Sequence, residues 1–478
     1  MTITSPSYDR ALLRPRILHI GFGAFARAHQ LVYLDEVLDQ TDGDWGVVAA
    51  RLNSGAAELS ELDAADGLYH VVAQDGSGTD TRAVGCVIGT AHPARDGSEA
   101  LPDLIASAPL SIISLTITEK GYGLTDGAFD PALPANAADI ANPDAPRSAV
   151  GVILRGLARR RAAGLGGVTV LSCDNLPHNG ALCRAAVLGM AKRIDPDLAA
   201  WVAQECRFPA TMVDRIVPAL TNDSRALIAQ CAGRDDPNGI LCEPFRQWVI
   251  EDSFAAGRPA FEKAGALMVS DVAPYEDMKL RMLNGPHSFI AYLGALSGYE
   301  TVADCMDDPT LRAATRALML TEQAASIAAP AGVDLTGYAD DLIERFSNPA
   351  LRHKTVQIAM DGSQKLPQRL LAGASVLAKR GAEWPLITAG VAGWMGFVRK
   401  AVLNPDFAPL QDPLADQIRA AASLPDGPEF VAAMVALPGV FPADTSLRAT
   451  LASPIARTYA DLVEKGPQGL LKPLLGAT

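Results

Sequence analysis

The stretch Arg16–Glu36 constrains the fold most, because a short apolar run, two close glycines and a helical pattern follow one another. Ile17–Ile20 is β-prone, Gly21–Ala26 reads Gly-Phe-Gly-Ala-Phe-Ala, and apolar residues at helical spacing continue to Leu34. This order is typical of the strand, turn and helix of a dinucleotide-binding unit, in its GxGxxA variant. The alternative is an ordinary βα turn that uses glycine only for its geometry.

The residues of this turn have separate predicted tasks. Gly21 would allow the tight turn, Gly23 would let the backbone approach a pyrophosphate, and Ala26 would allow close packing of helix on strand. The helix N-terminus would then present its unpaired N–H groups to the phosphates. We therefore predict that the turn binds a cofactor through Gly21, Phe22, Gly23, Ala24 and Phe25.

A second strand, within Trp45–Asn53, should end near the adenosine ribose of such a cofactor. NAD enzymes commonly place Asp or Glu there to bind the ribose hydroxyl, whereas this chain has Arg51 and Asn53. Arg51 would suit a 2′-phosphate, or it would lie solvated at the surface. We predict that both residues bind the cofactor, with NAD favoured and NADP left open.

Composition limits the classes of protein that the chain fits. Its 478 residues, 49% hydrophobic and 20% charged, suit a large soluble protein of two or three domains. The net charge of −13 and the short basic runs argue against nucleic acid as a partner. The seven cysteines form no CxxC pair, which argues against zinc and against a disulfide framework and fits a reducing cytoplasm. We expect no bound metal. With no signal-peptide pattern and no unbroken apolar stretch of about 18 residues, we expect a cytoplasmic protein without a membrane span.

The order of elements predicts an α/β fold. A Rossmann-type domain with a mostly parallel sheet would occupy residues 1–270, and a mainly α-helical domain would occupy residues 271–478. The segment 123–147 is expected to be an exposed excursion, while 207–224 and 241–253 would extend the sheet or wrap the cleft. The predicted strands are 16–20, 45–50, 84–88, 110–117 and 168–173. The predicted helices of the second domain are 276–297, 309–329, 336–346, 349–361, 367–379, 385–400, 412–422, 428–436 and 455–463.

Lys279–His287 offers a proton acceptor, an amide donor and an imidazole on one helical surface. On an α-helix, Asn284 would lie about 140° around from Lys279, with His287 between them. The Gly285-Pro286 pair should loosen this turn, because proline removes a backbone donor and clashes with the preceding turn. Alcohol oxidation needs a group that takes the hydroxyl proton and groups that hold the oxygen. The alternative is a solvated lysine and a structural histidine.

Two strand ends also carry polar residues, in Ser114–Tyr122 and Val168–Gly180. Ligands of open parallel sheets bind beyond the carboxyl ends of the strands. In the second segment an apolar strand leads into Asp174-Asn175, and the Asn175 amide could bind a substrate oxygen. A plain turn is the alternative, since Asp, Asn, Pro and Gly all favour turns.

Together these motifs resemble the long-chain mannitol dehydrogenase family. The resemblance rests on Gly21-x-Gly23-x3-Arg27-x-His29, Thr118-Glu-Lys-Gly-Tyr122, Ser172-Cys-Asp-Asn175 and Lys279-x4-Asn284-x2-His287. It runs from about residue 16 to the C-terminal helices. It implies a zinc-independent NAD(P)-dependent dehydrogenase of polyols or sugar acids, with small molecules as its partners. We expect a monomer or a weak homo-oligomer.

The resemblance also implies roles for matching residues. Lys279 would be the general acid/base, Asn175 and Asn284 the donors to the reacting oxygen, and His287 a residue that orients the substrate. Arg27, Thr118 and Lys120 would contact the cofactor. Lys365, Gln357 and Arg369 would contact the substrate.

The segment Gln357–Arg369 is similar to the fructuronate reductase (D-mannonate oxidoreductase) branch of that family. Gln357 replaces the arginine typical of polyol-specific members. A sugar-acid carboxylate would meet cations, which the sequence offers in Arg352, Lys354, Lys365 and Arg369, although basic residues on helices are mostly solvated. The predicted reaction is the interconversion of D-fructuronate and D-mannonate with NAD. The alternatives are a mannitol 2-dehydrogenase or arabinitol dehydrogenase, and a cofactor-binding protein without catalytic activity.

Overall fold

A computed structural model describes residues 3–76, 78–350 and 353–476 of the chain. The chain divides into two compact units, Met1–Ala273 and Pro274–Thr478. The predicted domain limits of 1–270 and 271–478 remain a prediction. The predicted α/β class is confirmed, since the first unit contains a parallel sheet and the second is mainly helical.

A five-stranded, fully parallel sheet forms the centre of the first unit. Apolar side chains cover both faces of the sheet, as parallel sheets require. The carboxyl ends of all five strands therefore lie at one edge. In spatial order the strands are Thr169–Ser172, Ile112–Leu115, Arg14–Ile20, Trp45–Ala50 and Val87–Ala91.

Smaller sheets complete the first unit, and the sequence did not reveal most of them. A four-stranded sheet contains Ile3–Thr4, Thr79–Val84, Tyr69–Gln74 and Ile240–Cys242 in that order. A three-stranded sheet contains Thr211–Asp214, Gln247–Glu251 and Leu267–Val269, and a short hairpin pairs Leu124–Thr125 with Ala128–Phe129.

The predicted strand 84–88 is wrong, because the chain turns a corner there. Thr79–Val84 ends as Gly85 begins, and Val87–Ala91 then joins a different sheet. The backbone N–H of Gly85 donates to the buried carboxylate of Asp35 at 2.8 Å, a bond that holds the corner. In the sequence, the apolar residues 84–88 resemble a single strand, although they hold the end of one strand and the start of the next.

The helices of the first unit lie between and beside these strands. The helix predicted after the glycine turn is broken at His29, whose φ of −121° and ψ of −85° are not helical. The α-helices are Ala24–Ala28, Gln30–Gln40, Ala56–Ala64, Pro93–Asp96, Ala100–Ile105, Pro134–Ala141, Ala149–Ala162, Asn179–Ile194, Pro196–Glu205 and Asn222–Ala232. Short 3₁₀ turns span Arg10–Leu12, Glu119–Tyr122 and Phe261–Ala264.

Buried polar residues fold the predicted excursion, 123–147, onto the unit. Asn136 donates to the carbonyl oxygens of Gly123 and Asp130 at 2.8 and 2.7 Å. Asp139 accepts the backbone N–H groups of Arg147 and Ser148 at 2.9 Å each. Both side chains are only 2% exposed, so the excursion is anchored at two points and ends on the helix Ala149–Ala162.

The second unit packs its helices around one apolar core. Its α-helices within the described residues are Ala273–Met278, Gly285–Ser297, Val302–Asp307, Pro309–Ala317, Leu335–Phe346, Thr355–Ile358, Gly362–Leu366, Ala372–Lys379, Pro385–Leu403, Ala415–Ala422, Pro428–Val435 and Thr445–Leu475, and Ala324–Ser326 is a 3₁₀ turn. The predicted helix 349–361 is too long, since the helix covers only Thr355–Ile358. The predicted helix 455–463 is too short, because Thr445–Leu475 runs past it with a kink at Gly466.

One helix, Pro385–Leu403, is long and apolar enough to cross a membrane by length and composition alone, with a mean hydropathy of 1.3. Most of it is buried inside its unit, where Trp394 and Met395 belong to the core. This burial is typical of a core helix in a globular unit.

Within residues 274–350 and 353–476, three π-helical turns interrupt the helices: Lys279–Asn284, Leu318–Gln323 and Pro367–Leu371. Each ends in an i→i+5 backbone bond, from Gly285 to Leu280, from Ala324 to Met319 and from Ala372 to Pro367. The predicted loosening at Gly285-Pro286 therefore takes a definite form, a π turn just before Pro286. Such turns are rare and recur at functional sites.

Candidate functional site

A cleft of about 940 Å³ opens at the carboxyl edge of the parallel sheet. The glycine turn, the residues after Trp45–Ala50 and the loop after Ile112–Leu115 line it. Three cations are present in the lining, Arg51, Lys120 and Arg147, and the lining contains no Asp or Glu. The predicted cofactor residues in the lining are Gly21, Gly23, Arg51, Asn53, Thr118 and Lys120.

The two glycines of the turn differ in what they allow. Gly21 has φ +95°, and a Cβ there would lie 2.1 Å from the carbonyl oxygen of Thr116, so only glycine fits. A Cβ on Gly23 would meet only the carbonyl oxygen of Gly21, at 3.5 Å. Open space beside Gly23 is what a phosphate-bearing ligand needs in order to approach the backbone.

Thr118 projects into the cleft from a strained backbone. Its φ of +64° and ψ of 164° lie in a region that β-branched residues very rarely adopt. The buried carboxylate of Asp174 holds this conformation by accepting the N–H groups of Ile117 at 3.1 Å and Thr118 at 2.9 Å, and Tyr122 donates its hydroxyl to the same carboxylate at 2.7 Å. Burial raises the pKa of Asp174, while these bonds oppose the shift.

Arg51 and Asn53 follow the strand that should reach the adenosine ribose. The Arg51 guanidinium covers Gly55, because a Cβ on Gly55 would lie 2.1 Å from its Nη1. Glu58 is 3.8 Å from the same nitrogen. Arg51 is thus fixed at the edge of the cleft by the start of the helix Ala56–Ala64.

Phe22, Ala24, Phe25 and Arg27 are not among the residues that line the cleft. Phe22 is 3% exposed in the core, and Phe25 stacks on His29 with ring centroids 5.0 Å apart. Arg27 donates to the carbonyl oxygen of Asn238 at 2.7 Å, and burial lowers its pKa. None of these four side chains lines the cleft, and their predicted contacts with the cofactor remain predictions.

His29 is a structural residue within the motif. It is fully buried, and its Nε2 lies 2.9 Å from the carbonyl oxygen of Gln247. Burial lowers its pKa to about 3, so the ring is neutral. It joins the break between the first two helices to the strand Gln247–Glu251.

Asn175 follows the strand Thr169–Ser172 and is exposed. Its neighbours fix the chain on both sides, since Asp174 holds the Thr118 loop and the Asn179 amide donates to the carbonyl oxygens of Asp174 and Thr211 at 3.0 and 2.9 Å. The backbone at Asn175 is therefore held at both ends.

In the second unit, the π turn changes the geometry predicted for Lys279, Asn284 and His287. Lys279 and Asn284 are five residues apart, and i→i+5 bonding brings residues at that spacing towards the same side of the helix. His287 follows Asn284 by three residues, a neighbouring position on a helix. The predicted separation of about 140° between Lys279 and Asn284 therefore does not hold. All three side chains are buried, between 7% and 8% exposed.

Three cations and a second histidine lie near His287 within the second unit. Burial first, and then the nearby His353, Arg369, Arg345 and Lys365, hold the pKa of His287 well below its ordinary value. Its ring packs against Phe346 at 4.6 Å and edge-on to His353 at 5.5 Å. The imidazole is therefore neutral and able to act as a hydrogen-bond donor and acceptor.

Lys365 and Arg369 hydrogen-bond to neutral oxygens. Lys365 Nζ donates to the carbonyl oxygens of Ile358 and Met360 at 3.1 and 2.6 Å, and Arg369 Nη1 donates to Ser288 Oγ at 3.2 Å. Burial and Arg369 lower the pKa of Lys365 to about 8. None of these three bonds neutralises the positive charge of Lys365 or Arg369, because each acceptor is a neutral oxygen.

The other residues predicted near the substrate lie elsewhere. Gln357 is exposed on its short helix. Lys354 is exposed and paired with Glu300 at 3.1 Å. Arg352 lies outside the described residues. The cations beside His287 are thus Lys365 and Arg369 from the prediction and, unforeseen, Arg345. His353 is a further unforeseen neighbour, and burial and Lys365 lower its pKa.

Arg147, the third cation of the cleft, was not predicted from the sequence. It ends a segment rich in Ala, Asp, Asn and Pro, which resembled a solvated loop. Asp139 was the available signal in the sequence. It lies nine positions before Ser148, which caps the helix Ala149–Ala162, and its carboxylate bonds to the Ser148 N–H and so holds the segment against the unit. Among the described residues, no group of three or more His, Cys, Asp or Glu side chains is arranged to hold a metal ion.

The parallel sheet, the glycine turn and the cation-lined cleft define a Rossmann-type dinucleotide-binding protein. Residues 15–263 match the mannitol dehydrogenase Rossmann domain, and residues 271–463 match the mannitol dehydrogenase C-terminal domain. The chain therefore belongs to the mannitol dehydrogenase family of oxidoreductases, which confirms the resemblance in its motifs.

Individual relatives cover nearly the whole chain. The uncharacterized oxidoreductase YeiQ of Escherichia coli (strain K12) is 47% identical over 475 residues, 99% of this chain and 97% of that protein. D-mannonate oxidoreductase of the same organism is 44% identical over 470 residues, 98% of this chain and 97% of that protein. The structure of Pseudomonas fluorescens mannitol 2-dehydrogenase with NAD and D-mannitol superposes with a TM-score of 0.87 at 35% identity, covering 100% of this chain and 97% of that one.

Proposed function

We propose that the protein is a zinc-independent, NAD-dependent secondary alcohol dehydrogenase that interconverts D-fructuronate and D-mannonate. The carrying observation is the positive charge beside His287: the half-buried Lys365 and Arg369 hydrogen-bond to neutral oxygens, and His353 adds a neutral imidazole to this group. Buried charge is costly unless it is compensated. A sugar-acid carboxylate would compensate it, whereas a neutral polyol would not. The similarity to D-mannonate oxidoreductase agrees with this choice.

Two polar atoms of this group support an anionic ligand. Arg369 Nε and His353 Nδ1 are buried and have no hydrogen-bond partner among the described residues. Buried polar atoms are normally paired, so each unpaired one calls for an explanation. A bound carboxylate that draws these side chains into new bonds would provide it.

The first unit fits a nicotinamide dinucleotide on its own features. Gly23 leaves room for a phosphate, and Arg51, Lys120 and Arg147 supply positive charge without a carboxylate in the lining. Gly21, Asn53 and Thr118 complete the proposed contacts. We take the cofactor to be NAD, in keeping with the NAD in the mannitol 2-dehydrogenase structure. The bound cofactor supplies or accepts the hydride.

The remaining chemistry belongs to side chains of the chain. During reduction of a ketone, Lys279 would donate a proton to the oxygen, and it would take that proton back in the oxidative direction. The amide of Asn284 would donate a hydrogen bond to the oxygen as negative charge develops there, and Asn175 is proposed for the same task. A neutral His287 would orient the substrate through a hydrogen bond. Lys365 and Arg369 would bind the carboxylate, with Gln357 proposed as a further substrate contact.

Side-by-side assays test the substrate. The protein is given D-fructuronate or D-fructose with NADH, and D-mannitol with NAD, each at matched concentrations, and nicotinamide absorbance is followed. The proposal expects a kcat/KM for D-fructuronate at least about 100-fold above that for the neutral D-fructose in the same direction, the size of a buried charge pair gained or lost. A higher kcat/KM for D-fructose, with ready oxidation of mannitol, would overturn it. We place this small-molecule reaction in the cytoplasm.

A polyol substrate is the second candidate, because a mannitol 2-dehydrogenase has the same overall fold and one from Cereibacter sphaeroides is 42% identical over 370 residues. Under that alternative, the exposed Gln357 in place of the arginine of polyol-specific members would not decide the substrate. Lys365→Met would then affect mannitol oxidation as strongly as fructuronate reduction. Arabinitol belongs in the same substrate panel.

A further inference from the structure

The three π turns of the second unit meet at one buried side-chain amide, that of Gln323. Gln323 is 0% exposed and is the last residue of the turn Leu318–Gln323. Its Nε2 donates to the carbonyl oxygen of Arg369, which lies in the turn Pro367–Leu371, at 3.0 Å. A Cβ built on Gly285, next to the turn Lys279–Asn284, would lie 2.7 Å from the same Nε2. The amide therefore lies against all three turns.

Glycines on two different helices make room for this amide. A side chain at Gly285 would strike both Gln323 Nε2 and, at 2.8 Å, the carbonyl oxygen of Arg369. A Cβ on Gly373 would lie 3.0 Å from Gln323 Oε1. Neither glycine has a positive φ, so backbone conformation does not require them. Close packing on the amide is what they allow.

The Gln323 amide is only partly paired. Its Oε1 is buried and has no hydrogen-bond partner among the described residues. An unpaired buried acceptor loses its bonds to water without replacement, and this cost offsets part of what the Nε2 bond to Arg369 contributes. Stability alone is therefore a weak reason for an amide at this position, whereas an oriented donor between two turns serves geometry.

Two sets of hydrogen bonds connect Gln323 to the turn that carries Lys279 and Asn284. In the first, Arg369 accepts from Gln323 through its carbonyl oxygen and donates from Nη1 to Asn284 O at 3.4 Å and Ser288 Oγ at 3.2 Å. The second runs through the backbone of Gln323 and not its amide: Ser326 Oγ donates to the backbone carbonyl oxygen of Gln323 at 2.7 Å and accepts from Arg281 Nη1 at 3.3 Å. Substitution of the Gln323 side chain therefore removes only the first set. Arg281 and Asn284 are both members of that turn.

We propose that Gln323 is a positioning residue, which fixes the turn Lys279–Asn284 so that the lysine and the asparagine face the reacting oxygen. This inference rests on the proposed function of those two residues. Gln323 itself touches neither substrate nor cofactor. Its loss should slow the chemical step, because a small displacement of reacting groups lowers rates steeply, and it should leave cofactor binding nearly unchanged. Any rise in KM, transmitted through Arg369, should be smaller than the fall in kcat.

The test uses the full-length protein with Gln323→Leu and Gln323→Met, since the flexible methionine adapts where leucine does not fit. Gln364→Leu, at an exposed position on the helix Gly362–Leu366, is the matched control. For each protein we would measure kcat, KM, the Kd of NADH, the urea midpoint of unfolding, and the isotope effect on kcat with NADH deuterated at the transferred position.

We expect kcat to fall about 10- to 100-fold in both Gln323 variants, with the Kd of NADH within about threefold of wild type and a rise in KM smaller than the fall in kcat. The isotope effect should rise because hydride transfer becomes rate-limiting, and the urea midpoint should show that both variants are folded under assay conditions. A kcat within about twofold of wild type would overturn the inference. So would two variants that fail to fold, since the amide would then serve folding.

Lys279→Ala, assayed alongside, separates this inference from the proposed function. If Lys279→Ala retains wild-type turnover, the proposed function of the lysine fails. If Lys279→Ala is inactive while Gln323→Leu has a normal kcat and isotope effect, only the positioning inference fails.

Discussion

Lys279 bears the largest share of the proposed chemistry and is 7% exposed, at the first position of a π turn. We predict that Lys279→Ala lowers kcat by about 10²- to 10⁴-fold, the usual contribution of a general acid/base. The Kd of NADH should change by no more than about threefold, because the cofactor residues belong to the first unit. Steady-state kinetics and NADH fluorescence titration measure the two effects.

Lys354→Ala is the control for this substitution. Lys354 is exposed and paired with Glu300 at 3.1 Å, so its removal should leave kcat unchanged. If Lys279→Ala and Lys354→Ala have the same kcat, Lys279 is not the general acid/base.

If Lys365 binds the substrate carboxylate as proposed, substrate binding should depend on pH. Burial and Arg369 lower its pKa to about 8, so the ammonium that would attract a carboxylate is lost as the pH rises above about 8. We predict that kcat/KM for D-fructuronate falls about tenfold per pH unit above that value, whereas below it the charge is fully present. Initial rates at low substrate from pH 6 to 10 measure this profile.

Lys365→Arg should flatten the alkaline fall, because a guanidinium stays protonated over this whole range. Lys→Arg at the exposed position 354 should not. An unchanged alkaline limb in Lys365→Arg would assign the fall to another group.

Among the helices, Pro385–Leu403 depends on a carboxylate from a different element. Its residue at N1 is proline, and the next two N–H groups, of Leu386 and Ile387, donate to Glu322 at 2.7 Å each. Glu322 is 3% exposed. A carboxylate at a helix N-terminus satisfies unpaired donors and interacts favourably with the helix dipole.

We predict that Glu322→Ala lowers the free energy of unfolding by about 2–5 kcal/mol, since it leaves two buried donors unpaired. Glu344→Ala, at an exposed position, should change it by less than about 0.5 kcal/mol. Urea titration at pH 7 measures both. Equal stability of the two variants would show that water replaces the carboxylate.

The same carboxyl should give stability a pH dependence. Burial raises the pKa of Glu322 from 4.5 to about 7, so the folded protein holds this proton more tightly than the unfolded chain does. Its contribution to stability is therefore full below about pH 4.5 and is lost as the pH rises through about 7. In Glu322→Gln, which cannot titrate, the difference between pH 5 and pH 8 should be smaller than in wild type.

Helical periodicity predicted most helices of the second unit, yet not their π turns. Apolar residues every three or four positions specify a buried face, and one extra residue in a turn shifts that pattern too little to be seen in a single sequence. The order of strands around the glycine turn was also predictable. The edge sheets were not, because Tyr69–Gln74 and Thr79–Val84 pair with partners as distant as Ile240–Cys242.

The sequence predicted the two glycines that line the cleft at the turn, and it singled out Lys279, which is buried, although its catalytic role stays a prediction. The surroundings of His287 were not predictable, because tertiary packing decides them. Nothing in the sequence around Arg345 and His353 indicates that they lie near His287 in the folded unit. Thr118 likewise owes its strained φ to Asp174, 56 residues later in the chain.

The charge of the whole molecule opposes its cofactor. The chain has a net charge of −13, and NADH is an anion, so long-range electrostatics should weaken binding. The cleft has the opposite local charge, from Arg51, Lys120 and Arg147. Added salt distinguishes the repulsion by the whole molecule from the attraction by the cleft. It shortens the Debye length from about 30 Å at 0.01 M to about 10 Å at 0.1 M, so it screens distant charges before near ones.

We predict that the Kd of NADH rises about 3- to 10-fold between about 0.01 M and 0.5 M NaCl, because the cleft cations dominate. Arg147→Gln should weaken binding at low salt and flatten this dependence. Arg419→Gln is the control, since Arg419 is exposed, belongs to the second unit and pairs with Asp416 at 2.9 Å. NADH fluorescence titration at each salt concentration measures the slopes. Binding that tightens with added salt would mean that the net negative charge outweighs the cleft, and that Arg147 is a surface residue without a part in cofactor binding.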